Sequence, residues 1–284
     1  MNTTLALPAG ASAALLLLLL PAAAGRPVPS PLQQKEPITA SQLVRDVVWN
    51  EIHAQLNDKT EWEYRESRNE GGDTQLLHVV QTKYGDLHRL LAVNGVPLTP
   101  SQQAAEERRI QRLLANPDQT KDAARKSHQD AEEERKMLRM LPNAFDFRYE
   151  KHAGDTITLA FTPNPSFHAD SHESEVFHHM EGHLLVYAPG KRLEEIDGRL
   201  TSPVKFWGGL LGHLDQGGTF HVVQKNVGSN HWELTSLNVQ MDGKALFFKT
   251  IAVRQKEIYT EFKRVPDDIT LPQAAERLKQ PTAG

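Results

Sequence analysis

Apolar and polar residues alternate along most of the chain from Phe177 to Val265. A period of two places the apolar side chains on one face of a β-strand, so this stretch predicts a long run of antiparallel strands. Its most regular part is 231–265, where Asp242-Gly243 is flanked by alternating runs. An Asp-Gly pair in that setting is a strong hairpin signal. We therefore expect a hairpin at Asp242-Gly243 and a further reversal near 255–257.

Helical periodicity replaces this alternation in two places. An apolar stripe predicts a helix that begins at a Thr39 or Ser41 cap and ends near Leu56. Residues 100–141 predict a helical insertion of two helices, separated at Asn116-Pro117 because a proline disfavours helical geometry in the residue before it. The second of these helices is charged on almost all sides. It is interpreted either as a solvated arm between sheet halves or as a movable lid over the sheet.

Short strands fill the intervals between these helices. Residues 61–95 predict a meander that ends in an Asn94-Gly95 turn, and further strands are predicted from 144 onward. The total is on the order of eleven strands, more than a strongly twisted open sheet usually carries without curling. The predicted fold class is α+β: a large curved antiparallel sheet, or half-open β-barrel, with an N-terminal helix and the helical insertion against its concave face.

The two ends of the chain differ in composition from this sheet. Leu5–Leu20 is apolar and is followed by small residues, a pattern typical of a cleaved secretory signal. The apolar run is shorter than the roughly 20 residues of a membrane-spanning helix, so we expect no integral membrane segment in the mature chain. The expected organisation is a signal peptide at 1–24, a proline-rich tether at 25–38, a single domain at 39–265 and a C-terminal tail at 266–284.

Charge and cysteine content narrow the classes of function. Lys and Arg total 32 against 36 acidic residues, a formal net charge of −4. This balance lacks the basic excess of a nucleic-acid-binding protein. The chain contains no cysteine, which excludes a disulfide framework, a thiolate metal site and a thiol nucleophile. An exported protein without disulfides suits a bacterial periplasm, so we expect a periplasmic or secreted location.

The segment from His168 to His183 is rich in histidine and acidic residues. On a strand, His179, Glu181 and His183 would share one face and offer imidazole and carboxylate ligands to a zinc-like ion. Side chains two apart on a strand stand about 7 Å apart, which is wide for one ion, so solvent-facing histidines are the competing interpretation. Neither a G-x-S-x-G nucleophile motif nor a phosphate-binding loop is present, and no cofactor is expected.

Aromatic and aliphatic residues surround a glycine-rich passage near residue 208. They either fill the protein core or line a hydrophobic ligand pocket, and the pattern does not separate these two interpretations. The residues predicted to bind a ligand are Phe206, Trp207, Leu210, Leu211, Phe247 and Ile251.

The overall pattern resembles the periplasmic lipoprotein-carrier group of LolA/LolB-like half-barrels. The stretches that carry the resemblance are 90–100, 180–186 and 191–198, within an architecture that covers roughly 39–265. The resemblance implies a non-catalytic role, in which a hydrophobic concavity shields an acyl chain. The absence of cysteine excludes the acylated receptor member of that group, and no individual carrier residue is transferred to this chain.

Three hypotheses follow. The leading one is an exported, soluble, non-catalytic protein that binds a lipid, an acyl chain or a lipoprotein. The alternative is an envelope structural or interaction module that contacts an envelope protein partner through 100–141 and binds no lipid. The third is a metal-dependent enzyme that uses the His168–His183 region.

Overall fold

A computed structural model of the chain describes residues 38–70, 72–206, 212–245 and 249–279. The predicted signal peptide and nearly all of the predicted tether lie outside this range. Within it, four helices are longer than one turn: α1 (Ala40–Asn57), α2 (Pro100–Ala115), α3 (Pro117–Ala144) and α5 (Leu271–Lys279). A single turn, α4 (His172–Glu175), continues into a 3₁₀ helix at Val176–His179.

Thirteen strands are found in the described part of the chain. They are β1 (Trp62–Glu70), β2 (Asp73–Val80), β3 (Leu87–Val93), β4 (Val96–Pro97), β5 (Phe145–Ala153), β6 (Thr156–Pro163), β7 (Met180–Tyr187), β8 (Arg192–Leu200), β9 (Val204–Phe206), β10 (Gly212–Leu214), β11 (Thr219–Gly228), β12 (His231–Ala245) and β13 (Lys249–Arg264).

These strands form one antiparallel sheet. Eleven of them follow the order β4-β3-β2-β1-β13-β12-β11-β8-β7-β6-β5, and β9 and β10 attach beside β12. Among the described residues β4 and β5, at the two ends of this order, do not pair with each other, so the sheet is curved without closing into a barrel. The predicted fold class, an α+β protein built on a large curved antiparallel sheet, is confirmed.

We call the face of the sheet that α1 and α3 cover the inner face. Helix α1 begins at Thr39, whose side chain accepts a hydrogen bond from the Gln42 backbone N–H, as an N-cap residue does. Its apolar stripe is buried against the half of the sheet made by β5 to β8, with Phe161 and Leu184 among its partners. Burying each such side chain contributes about 1.5–3 kcal/mol, so this contact fixes α1 on the sheet.

The outer face, opposite to it, is covered by α2 and α5 near β2 and β3. Val80 and Leu87 of these strands are buried together with Ile110 of α2 and Leu278 of α5. The predicted tail at 266–284 thus includes a helix that contributes to a core. Polar side chains of α2 also cover the edge of β3, where Glu106 accepts a hydrogen bond from the Leu90 backbone N–H at 2.8 Å. Such cover protects a strand edge from pairing with another chain.

Helix α3 extends from the start of α5 to the core under α1, and its second half lies over the inner face. Lys121 lies beside Tyr84 and Leu271, whereas Leu141 packs with the core under α1. At about 1.5 Å per residue, a helix of its 28 residues is about 42 Å long. None of the helices in the described ranges is both long enough and apolar enough to cross a bilayer.

Two reversals predicted from the sequence are wrong. Strand β12 continues through Asp242-Gly243, and β13 continues through 255–257. Gly243 is needed for a different reason, because it pairs with Leu214 of β10 and a Cβ placed on it would lie 2.2 Å from the His213 carbonyl oxygen. A close approach between two backbones, rather than a tight turn, explains this glycine.

Candidate functional site

A trough on the inner face, beneath α3, is the candidate site. Its polar end is a cavity of about 690 Å³ and its apolar end is a cavity of about 190 Å³. Both cavities are bordered by Glu134 of α3, and their floors include Val222 and Phe220, which lie two positions apart on β11 and therefore share a face. We treat them as one inner trough with two chemically different ends.

The apolar end is built from aromatic and aliphatic side chains of the sheet and of α3. Phe145 lies with its ring centroid 4.7 Å from that of Phe161, in an edge-to-face arrangement. The Phe220 ring rests against Gly198, where an added Cβ would lie 2.5 Å from a ring atom. Glycine at this position therefore lets the ring lie close to the sheet. The lining residues are Met137, Leu138, Leu141, Phe145, Phe161, Phe177, Met180, Ile196 and Phe220.

The polar end lies where the end of α1 meets β1, β8 and the β11–β12 hairpin. Arg192 donates two hydrogen bonds to Glu51 of α1, at 2.8 and 3.0 Å, and its guanidinium lies 5.6 Å from the Trp232 ring centre. His231, at the tip of the hairpin, bonds Asp58 just after α1 at 2.6 Å. These two contacts fix the walls of the polar end.

Three polar groups at this end lack a well-placed partner among the described residues. The indole nitrogens of Trp62 and Trp232 are buried and make no hydrogen bond within the described ranges. Glu233 makes no ion pair with any described residue. Burial, followed by repulsion from Asp58, raises the pKa of Glu233 to about 7. The Trp62 indole approaches this carboxyl and opposes the rise, but without the geometry of a hydrogen bond.

Glu233 should therefore reduce stability at alkaline pH. Its folded-state pKa lies above the ordinary value of 4.5, so folding favours the protonated form, and stability falls as the pH rises from 4.5 through 7. At pH 8 the free energy of unfolding of Glu233→Gln, measured with urea, should exceed that of the wild type by on the order of 1–3 kcal/mol. The two free energies should converge near pH 5. Glu195→Gln, on the outer face, is the control. An equal gain at both pH values would contradict the assignment.

The sequence-predicted ligand residues do not define this trough. Trp207, Leu210, Leu211 and Phe247 lie outside the described residues, as do the side chains of Phe206 and Ile251. Only their backbones are placed, Phe206 opposite Gly212 and Ile251 opposite Gly243.

Residues that the sequence did not single out form the trough instead. Trp62, Val222 and Trp232 come from three strands that are far apart in the chain. The sequence signal that could have identified some of them is alternation, since Phe220, Val222 and Gln224 occupy every second position of β11. Alternation identifies residues that share a face, but it does not reveal which face the helices cover.

The three predicted metal ligands are not on one strand. Strand β7 begins at Met180, after the turn that the Ser171 capping box starts and the 3₁₀ helix that follows it. His179 is the last residue of that 3₁₀ helix and is bonded to Ser202 at 2.7 Å.

Glu181 and His183 do share the outer face. Glu181 accepts hydrogen bonds from Arg199, and His183 lies between Glu150 and Asp197, 3.4 Å from each. No group of three or more side chains suited to hold a metal ion occurs within the residues described. These partners are typical of a solvated outer face with cross-strand ion pairs.

Comparison of the chain with protein-family models, with curated proteins and with solved structures returned no match.

Proposed function

We propose that this protein is a non-catalytic binding protein that holds a lipid, an acyl chain or a lipoprotein acyl group in the inner trough. One observation carries the proposal: an apolar cavity and a charged cavity adjoin along the same face of the sheet, beneath α3. An amphiphile has the same division, with a hydrocarbon chain and a polar head. Export to a periplasm, and the likeness to lipoprotein carriers expected from the sequence, form part of the same proposal.

The dimensions support binding of a small amphiphile. Ligand sites usually enclose about 300–1,000 Å³, a range that includes the polar end at about 690 Å³. Each methylene group removed from water contributes about 0.8 kcal/mol, so a chain that enters the apolar end gains affinity without any polar contact. Helix α3 limits the access of water to the same surface.

The other two hypotheses have less structural support. The charges on the exposed half of α3 pair within the helix, for example Lys126 with Asp130 at 2.7 Å and Arg125 with Asp122 at 3.0 Å. Charges paired in this way stabilise a solvent-exposed helix and give no particular support to a protein partner. The described histidines supply no metal cluster that would favour a metal-dependent enzyme.

A direct test is native mass spectrometry of protein that is gently purified from its host, combined with uptake of a monoacylglycerol whose acyl chain carries bromine on the carbons next to the head group. Bromine quenches tryptophan on contact, and Trp62 and Trp232 line the polar end. A variant with Trp49→Phe and Trp207→Phe leaves these two as reporters. Saturable quenching is expected. Protein that arrives empty and shows no quenching would refute the proposal.

Two neighbouring valines on β11 provide a matched pair of variants. Val222 lies in the trough, whereas Val223 faces the opposite side of the sheet, opposite Glu195. A longer side chain at Val222 occupies space on the trough floor and removes an apolar contact where the two ends meet, so Val222→Gln should weaken binding of the monoacylglycerol about tenfold. Val223→Gln should bind like the wild type. Equal affinities in the two variants would place the ligand elsewhere.

A further inference from the structure

The polar end of the trough carries an excess of negative charge. Its lining includes five carboxyl groups, from Glu51, Asp58, Glu61, Glu134 and Glu233, and two permanent cations, from Lys59 and Arg192. Among the described lining residues the one histidine, His128, is exposed on α3. A cleft lined by one sign of charge repels ligands of that sign and attracts those of the opposite sign.

Most of the charged side chains that line this end already have a partner within the protein. Arg192 is bound by Glu51 through two hydrogen bonds, Asp58 is bonded to His231, and Glu134 accepts a hydrogen bond from Gln55 at 3.4 Å. Among the residues described, the carboxyl groups of Glu61 and Glu233 lack an ion pair. Burial raises the pKa of both groups by more than the nearby groups lower it, so the fold compensates their charge only in part.

A second observation at the same place points to a ligand. Trp62 is only 5% exposed and lines the cavity, and its indole N–H approaches the Glu233 carboxyl but makes no hydrogen bond to any described residue. Buried donors are nearly always paired in folded proteins, because an unpaired one loses its hydrogen bonds to water. A ligand atom that accepts a hydrogen bond at this position would satisfy the indole.

We propose that the polar end is a head-group site for a cationic amphiphile, whose ammonium group lies beside Glu233 and whose carbonyl or ester oxygen accepts a hydrogen bond from Trp62. The cation supplies an ion-pair partner for Glu233, and the oxygen supplies an acceptor with hydrogen-bond geometry for Trp62. An anionic head group would meet the acidic lining instead. This inference rests on the proposed function, since it assigns the chemical class of the same ligand.

The test compares amphiphiles that share a dodecyl-length chain and differ in their head groups. Dodecyltrimethylammonium, dodecyl phosphate, dodecyl maltoside and lauroylcholine are titrated at pH 8, where Glu233 is mostly ionised, and below their micelle concentrations. Near-ultraviolet circular dichroism verifies that the protein stays folded. A hydrogen bond or contact with a charged group is worth about a tenfold change in affinity or more. We expect the ammonium compound to bind at least about tenfold more tightly than the phosphate, and lauroylcholine to bind most tightly.

Two variants assign the effect to residues. Glu233→Gln should reduce the ammonium-to-phosphate ratio to about twofold, whereas Glu195→Gln on the outer face should leave it unchanged. Trp62→Phe should remove the advantage of lauroylcholine over dodecyltrimethylammonium. Equal or tighter binding of the phosphate, or an unchanged ammonium-to-phosphate ratio in Glu233→Gln, would overturn the inference. Binding of the uncharged maltoside would show in that case that the trough still takes an amphiphile. Absence of binding by all four compounds would overturn the proposed function as well.

Discussion

Replacing Glu63 with alanine is expected to lower the free energy of unfolding by about 2–4 kcal/mol, because it removes the centre of a cluster that joins the buried His78 ring to Arg277 of α5. Glu63 lies on the outer face of β1. One carboxylate oxygen bonds His78 Nε2 at 2.8 Å and the other accepts a hydrogen bond from Arg277 of α5 at 2.7 Å. His78 is only 1% exposed, so the alanine variant leaves it buried without its partner.

The charge states of this cluster predict how the effect varies with pH. Burial alone would raise the pKa of Glu63, but hydrogen bonds from Arg277 and His78 outweigh it and hold the pKa below the ordinary 4.5. A carboxyl with a lowered pKa stabilises the fold above its ordinary pKa, and that contribution is lost as the pH falls through the folded-state value. The difference between wild type and Glu63→Ala should therefore be largest near neutral pH and shrink below pH 4.5.

Urea unfolding at pH 7 and pH 4 measures both effects. The control is Glu276→Ala on α5, because the Glu276 side chain is 70% exposed and, among the described residues, forms an ion pair with Lys279 alone. An exposed pair of this kind is worth less than about 1 kcal/mol. If Glu63→Ala were no more destabilising than Glu276→Ala, the cluster would not be what fixes α5 to the sheet.

Local signals in the sequence predicted those parts of the fold that local physics determines. The cap at Thr39 and the helical stripe placed α1 correctly, although Leu56 at its end is exposed rather than buried. The Asn94-Gly95 turn was also predicted correctly, because both residues adopt the positive φ angles, 52° and 75°, that this pair favours.

Features that depend on distant partners were not predictable in this way. Gly243 has the sequence setting of a turn, but its role is set by β10, about thirty positions earlier in the chain. The trough is a similar case. Trp62, Arg192 and Glu233 come from β1, β8 and β12, and only the order of strands in the sheet brings them together. The sequence predicted a concave sheet with an apolar lining, and it did not reveal the acidic end.

The second large effect is expected at Glu51, which connects the fold to the trough. Glu51 is 4% exposed and binds the Arg192 side chain through two hydrogen bonds and the Leu193 backbone N–H at 2.9 Å. Glu51→Ala removes all three bonds and leaves the Arg192 guanidinium buried without a counter-ion. Breaking one partner of a buried ion pair costs about 3–5 kcal/mol, so we expect a loss of stability of this size.

A neighbouring ion pair between the same two elements is the matched control. Lys191 pairs with Asp46 of α1, but both side chains are partly exposed, so Lys191→Ala should cost less than about 1 kcal/mol. Glu51→Gln keeps the shape of the side chain and should lie between the two in urea unfolding. Because it frees the charge of Arg192 at the polar end, it should also strengthen binding of dodecyl phosphate relative to dodecyltrimethylammonium. Equal stabilities of Glu51→Ala and Lys191→Ala would show that Glu51 does not support α1. An unchanged head-group preference in Glu51→Gln would show that Glu51 does not set the charge of the trough.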